Sequence, residues 1–343
     1  MALRVPVVDF GPFLADEGIT VGEAATAAQK EVAEELDKAC RHHGFVCLRD
    51  CGGQELAEAV GEAFAAAKQL FSLAEEEKST LRPLEPVTNA GFAGFGKEKL
   101  NRKRGFDLKE AFNVRRACFS EEGFFEGCPQ GFEAAAKRLW EALEVAAIRY
   151  CKQCALALNL EDDFFSKHFK KWDLSTLRFL HYPPTMEAGD DGLLDPSQAI
   201  RVGEHTDFGM FTFLFIENVG SMESKGLQAK PVLGGEIDGT QDGWMDVEST
   251  EGCVVNTGAL LARWTNDVWR ATAHRVIVPN KEVAAGHRYS IACFFDPDKD
   301  SVITVDPRFG EPKYTPITSF DYLMSKLREA QNVSETEEKP SAN

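Results

Sequence analysis

Nowhere in this chain is there a run approaching the roughly 20 consecutive apolar residues that a membrane-spanning helix requires. Positive charge is scarce as well: 38 Lys and Arg stand against 55 Asp and Glu, a formal net charge of −17 over 343 residues. Nucleic acid and anionic membranes both select a positive surface, so neither is expected as a partner. A small-molecule substrate is not excluded, because it meets only the local field of a pocket. The opening Met1-Ala2-Leu3-Arg4-Val5-Pro6-Val7-Val8-Asp9-Phe10 is interrupted too soon for a signal peptide and reads as a first strand. A cytoplasmic protein is therefore the expectation. Internal repeats are lacking. So is a second Cys or His pair that could complete a zinc site with Cys151-x-x-Cys154; that pair falls within a helical run from Trp140 to Leu158. The nine cysteines are expected to be reduced thiols serving as small buried apolar groups.

What is present is a 43% hydrophobic composition, enough for a sizeable core, and a change of character along the chain. Amphipathic helices are expected over about Val21–His43, Glu55–Leu73 and Pro129–Leu158, with a short one near Asp162–His168 and a strand at Gly44–Leu48. Arg82–Gly105 reads as loop. From Leu177 onward strand-like runs take over: Leu177–Tyr182, Phe208–Ile216, Gly226–Ala229, Cys253–Asn256, Arg275–Val278, Tyr289–Phe295 and Val302–Val305. Leu260–Asp267 and Trp269–Val278 read as the two arms of a hairpin. Val232–Gly243 reads as an exposed connection, its acidic residues arguing against a phosphate cradle. Three regions of one structural unit result: 1–170, mostly helical; 171–317, a β sandwich or barrel; and 318–343, a helix to about Ala330 and a polar tail expected to be disordered.

The residues that carry chemistry lie in the second region. His205 and Asp207, spaced H-x-D, would point to one face of a strand, at the mouth of an almost wholly apolar run. A charged pair there needs a partner. His274 would return near them on the hairpin. Two imidazoles and a carboxylate grouped on one side of an ion are the ligand set of non-haem Fe(II) oxygenases. Arg288 and Ser290, also two apart, could together hold a carboxylate, since a guanidinium grips it through two bonds and a hydroxyl adds another donor.

Taken in order, these segments resemble the Fe(II)- and 2-oxoglutarate-dependent dioxygenases built like isopenicillin N synthase. The resemblance spans most of the chain: Val5–Phe10, Gly44-Phe45-Val46, Asp107-Leu108-Lys109-Glu110-Ala111-Phe112, Leu177-Arg178-Phe179-Leu180-His181-Tyr182-Pro183, Glu204–Gly209, Val254–Gly258, His274-Arg275-Val276 and Arg288–Ser290. Leu180 stands where many members carry Asn, and Ala259 where an acidic residue is common. The resemblance implies a double-stranded β-helix, or jelly roll, with flanking helices. It implies Fe(II) bound by His205, Asp207 and His274, with 2-oxoglutarate held by Arg288, Ser290 and Tyr182. O2 is the second co-substrate and ascorbate the activator in vitro. No catalytic side chain is expected beyond the metal ligands.

The expected activity is attack on a C–H bond of a small molecule, ending in hydroxylation, desaturation or ring closure, in secondary metabolism and by a monomer. Eight basic residues fall between positions 97 and 116, in an acidic protein. Lys97, Arg102, Arg104, Lys109, Phe112 and Arg115 are therefore candidates for binding a carboxylate-bearing substrate, such as an amino-acid derivative related to kainoid precursors. Bases such as thymine, and terpenoid or flavonoid acceptors, are other substrates of the family. Two alternatives remain at this point: an iron oxidase that uses no 2-oxoglutarate, and a non-catalytic jelly-roll binding module.

Overall fold

The computed structural model describes residues 5–14, 25–98, 106–186, 200–217, 226–230, 243–247 and 252–337, with side chains to 329. Strand β1 (Val7–Asp9) and the single turn α1 (Gly11–Leu14) precede the helix α2 (Ala27–His42). There follow β2 (Phe45–Arg49), α3 (Gly53–Phe71), α4 (Glu75–Lys78), β3 (Gly91–Ala93), β4 (Glu110–Val114) and the long α5 (Phe132–Ala157). The second half contains β5 (Thr176–Tyr182), β6 (Ile200–His205), β7 (Phe211–Ile216), β8 (Leu227–Ala229), β9 (Met245–Asp246), β10 (Cys253–Thr257), α6 (Ala259–Trp264), β11 (His274–Ile277), α7 (Lys281–Ala285) and β12 (Arg288–Phe295). A small ribbon, β13 (Val302–Ile303) with β14 (Ile317–Thr318), leads into α8 (Ser319–Glu337).

Two sheets face each other. The larger runs β1-β2-β10-β7-β12-β5-β4-β3, and the smaller β6-β11-β8-β9. Between them lies a cluster that includes Phe45, Leu180, Tyr182, Val202, Val254, Val276 and Ala292. The opposite face of the larger sheet sends Leu177, Phe179, Phe213, Ile291, Cys293 and Phe295 into a second cluster with α2, α3 and α5. Alternate residues of β5 and β12 thus enter different cores, as a period of two demands. This is a double-stranded β-helix with helices packed on one face.

Local chemistry explains the helix ends. Thr26 caps α2 by accepting from the Gln29 backbone N–H, while the Gln29 side chain accepts from the Thr26 N–H. Val32, Leu36 and Cys40, spaced by four, bury one stripe of that helix. All nine cysteines are free; Cys151 and Cys154 lie in α5 and are fully buried.

Four expectations fail. Leu260–Asp267 does not start as a strand: Ala259–Trp264 is helix α6, and the run is buried on most sides, so it carries no period that separates helix from strand. β3 interrupts the stretch read as loop. The final helix continues to Glu337, beyond the start of the expected tail. Lastly, Asp207 is not on a strand with His205; β6 stops at His205 and Asp207 sits in the turn before β7. Val232–Asp242, most of the expected connection, lies outside the described residues.

Candidate metal and co-substrate site

Strand pairing brings the two imidazoles together. His205, the last residue of β6, is the register partner of His274, the first of β11. Their ring centroids are 4.2 Å apart. The His205 Nδ1 lies 2.8 Å from the carbonyl oxygen of Gly203, and the His274 Nδ1 lies 3.2 Å from that of Thr272. A carbonyl only accepts, so each Nδ1 carries the proton and each Nε2 lone pair is left for a ligand.

Asp207 reaches the same point from its turn, with Oδ1 3.7 Å from both Nε2 atoms. The ligating atoms of the three residues all fall within 4.8 Å of one another. Its other oxygen, Oδ2, accepts from Thr212 Oγ1 at 2.6 Å and from Asn256 Nδ2 at 2.7 Å. Thr212 and Asn256 are themselves paired across β7 and β10, so sheet register builds this cradle. The turn is pinned by the Ala259 N–H, which donates to the Asp207 carbonyl at 2.8 Å. Gly258 allows that approach: a Cβ there would lie 2.1 Å from the Gly209 carbonyl oxygen. On the far side of the turn a groove of about 910 Å³ runs along Thr206, Phe208, Ala262, Arg263, Tyr314 and Tyr322; no triad residue lines it.

Electrostatics favours the ligating protonation states. Burial, then the neighbouring His274, pulls the His205 imidazole down to about 4. Burial pushes the Asp207 carboxyl up, but the two imidazoles, the Thr212 hydroxyl and the Asn256 amide outweigh it and hold it below its ordinary value. At neutral pH the set therefore offers the His205 lone pair and one negative oxygen from Asp207. Metal ligation requires those forms, and this donor set suits Fe(II).

The candidate carboxylate-binding group lies on β12 and β5, where Arg288 pairs in register with Tyr182 and Ser290 with Leu180. Arg288 is 3% exposed; its guanidinium stands 4.8 Å from the Tyr182 ring centroid and donates to Ser290 Oγ at 3.3 Å. Burial lowers its pKa. Cation, hydroxyl and phenol are therefore grouped inside the sandwich.

A third charged group borders His205. The Gly203 N–H points to Asp107 Oδ1 at 3.4 Å; Asp107 and Glu98 both receive the buried Lys109 ammonium, at 3.3 and 3.0 Å. Glu98 also binds Arg178, which occupies the interior face of β5 opposite Ala292.

Residues 5–126 match a model described as the N-terminal region of a non-haem dioxygenase in morphine synthesis, and residues 174–297 match the 2OG-Fe(II) oxygenase superfamily. Proline hydroxylase buaE of Petromyces alliaceus is 30% identical over 78% of this chain and 83% of its own. The 2-oxoglutarate-Fe(II) type oxidoreductase hxnY of Emericella nidulans is 28% identical over 97% and 92%. Among solved structures, a full-length Neurospora crassa protein in complex with alpha-KG superposes with a TM-score of 0.74 at 28% identity, over 94% of this chain and 96% of that one. This chain belongs to the 2-oxoglutarate- and Fe(II)-dependent oxygenases. It is accordingly a non-haem iron dioxygenase using Fe(II), 2-oxoglutarate and O2.

In this oxygenase the residues read as substrate-binding scatter. Phe112 is a correction: it is 0% exposed and packs against Phe124, Phe125, Phe132 and Phe179 on the helix side of the larger sheet. Its neighbour Ala111 lies on the opposite face of β4, toward the interior. Arg115 is another correction, because its guanidinium is engaged with the Asp173 carbonyl at 3.1 Å and lies beside Asp296. Lys97 is exposed, and Arg102 and Arg104 lie outside the described residues. Among the described candidates only Lys109 adjoins the triad, and its charge is already met by two carboxylates. Sequence reading missed Thr212, Glu98 and Arg201. Thr212 sits in an apolar strand, where a buried hydroxyl needs a partner.

Proposed function

We propose that this oxygenase cleaves a C–H bond of a small carboxylate-bearing metabolite, an amino-acid derivative of the kind exemplified by kainoid precursors, and that it acts as a cytoplasmic monomer. The metal is held by His205, Asp207 and His274, and the distal carboxylate of 2-oxoglutarate by Arg288, Ser290 and Tyr182. When bound, Fe(II) supplies the oxidative chemistry that couples decarboxylation of 2-oxoglutarate by O2 to C–H cleavage. The chain's own residues then have defined tasks. Gly203 and Thr272 carbonyls fix the imidazoles, Thr212 and Asn256 hold Asp207 so that one oxygen faces the metal, and Arg288 sets the reach of the co-substrate.

The observation that supports an anionic substrate is the Arg178–Glu98–Lys109 cluster. A buried ammonium and a half-buried guanidinium share one carboxylate near His205, and a substrate carboxylate arriving there meets a ready partner once Glu98 is displaced. Hydroxylation, desaturation and ring closure differ only in where the substrate radical is held, which the pocket wall decides.

The test is succinate release with Fe(II), ascorbate and 2-oxoglutarate over a panel of proline, N-substituted amino acids including an N-prenylated glutamate, and thymine. An amino-acid carboxylate should turn over, and Arg178→Met should raise its KM with little change in the 2-oxoglutarate requirement. Turnover of thymine alone, indifferent to Arg178→Met, would overturn the substrate assignment; thymine is the ligand in another structure of the Neurospora crassa protein similar to this chain.

A further inference from the structure

Arg201 is 0% exposed, yet no carboxylate among the described residues pairs with it. One arm is anchored: Nη2 donates to the carbonyl oxygens of Val283 at 3.0 Å and Gly286 at 3.3 Å, in and just after α7. The other donors, Nε and Nη1, find no acceptor among the described residues. A buried cation with unmet donors is costly in an apolar interior, and such groups are normally paired with an anion.

Its placement is specific. Moving from Val276 to Ile277 on β11 corresponds to moving from Val202 to Ile200 on β6, so Arg201 is the extra residue of a bulge. Bulges re-aim a side chain and concentrate beside functional sites. The bulge turns Arg201 toward Tyr182, whose ring centroid lies 5.9 Å from the Arg201 guanidinium carbon and 4.8 Å from that of Arg288. Arg201 and Arg288 thus converge on one aromatic ring, and burial, then the Arg288 charge, lowers the Arg201 pKa, a cost that an anion between them would relieve. Further along the same strand, β6 ends on His205.

We propose that Arg201 is a second anion-recognition residue of the co-substrate pocket, its Nε and Nη1 donating to the distal carboxylate of 2-oxoglutarate beside Arg288 while Nη2 stays fixed to the α7 carbonyls. This rests on the reading of Arg288, Ser290 and Tyr182 as the co-substrate subsite. The competing role is a purely structural one, in which Arg201 only fastens α7 to the sandwich.

Binding to the anaerobic Fe(II) protein separates these roles. The probes are 2-oxoglutarate and 2-oxobutyrate, which shares the chelating keto acid but has no distal carboxylate. The readout is the Kd of each, from the visible chelate band. Arg201→Met should weaken 2-oxoglutarate by about ten- to a hundred-fold, the range for a lost bond to a charged group, and leave 2-oxobutyrate within about two-fold. Arg201→Lys should recover part of the loss, and supplies the same ratio if the Met variant does not fold. Unchanged 2-oxoglutarate binding, or parallel weakening of both keto acids, would overturn the proposal. Arg288→Gln is the independent control: if it leaves 2-oxoglutarate binding intact, the subsite itself is misassigned, whatever Arg201 does.

Discussion

Thr212→Val is the substitution that tests the metal site most cleanly. It removes one hydroxyl, the donor 2.6 Å from Asp207 Oδ2, and keeps the shape of the side chain in β7. Hydrogen bonds to charged groups contribute about 1.5–3 kcal/mol, and about 1.4 kcal/mol corresponds to ten-fold in an equilibrium constant. The variant should therefore bind Fe(II) about 10- to 100-fold more weakly, the range expected when a partner of a metal ligand is lost. Asn256→Leu removes the second donor to the same oxygen and should act similarly. Because both bonds end on one atom, the double variant should lose less than the product of the two single losses. Thr212→Ser keeps the hydroxyl and should keep most of the affinity. The assay is anaerobic competition for Fe(II) against a chromogenic chelator, with thermal unfolding of the metal-free protein as the control for folding. A normally folded Thr212→Val with unchanged Fe(II) affinity would refute the view that Asp207 is held for ligation by this cradle.

Three other outcomes follow from the geometry. Gly258→Ala places a methyl group against the Gly209 backbone and should displace the turn that carries Asp207, lowering both the melting temperature and Fe(II) affinity; a loss of stability with Fe(II) binding preserved would show that the turn can shift without moving the ligand. Phe112→Leu should destabilise the fold by about 1–3 kcal/mol, by opening space in a packed aromatic cluster, while leaving the Kd for 2-oxoglutarate and the KM for substrate unchanged; an altered KM would return Phe112 to the pocket. The Glu98 carboxyl, raised by burial but lowered further by Arg178 and Lys109, sits at about 2 rather than 4.5. A carboxyl depressed on folding stabilises above its unfolded pKa, and that contribution fades as pH falls from 4.5 toward 2. Glu98→Gln should therefore be less stable than the parent at about pH 7, with the gap closing over that interval; an unvarying gap in melting temperature would mean that the ion pairs contribute nothing.

Sequence legibility tracked the regularity of the backbone. Arg288 and Ser290 could be placed because β12 pairs with β5 and β7 without a break, so a spacing of two meant one face. The same regularity would have excluded Phe112, had the alternation along Glu110–Val114 been weighed above the basic charge around it: Ala111 and Phe112 cannot both face the substrate. Residue type singles out His205 and Asp207 as candidates, but a shared strand face does not bring them together. His205 ends β6, and what returns Asp207 is a turn tied to Ala259 and given room by Gly258. Neither contact is encoded in a period.

The part of β6 before His205 escaped recognition, and its register explains why. Two irregularities in a six-residue strand erase the alternation by which a strand is read. One leaves Gly203 placed to accept from His205 and to donate to Asp107; the other presents Arg201 to Tyr182. The residues hardest to find from the sequence are thus the ones that the broken pattern aims at the site. If Arg201 binds the co-substrate, the irregular pairing adds to what β6 already brings through His205, and local departures from periodicity beside a candidate ligand are where further functional residues should be sought first.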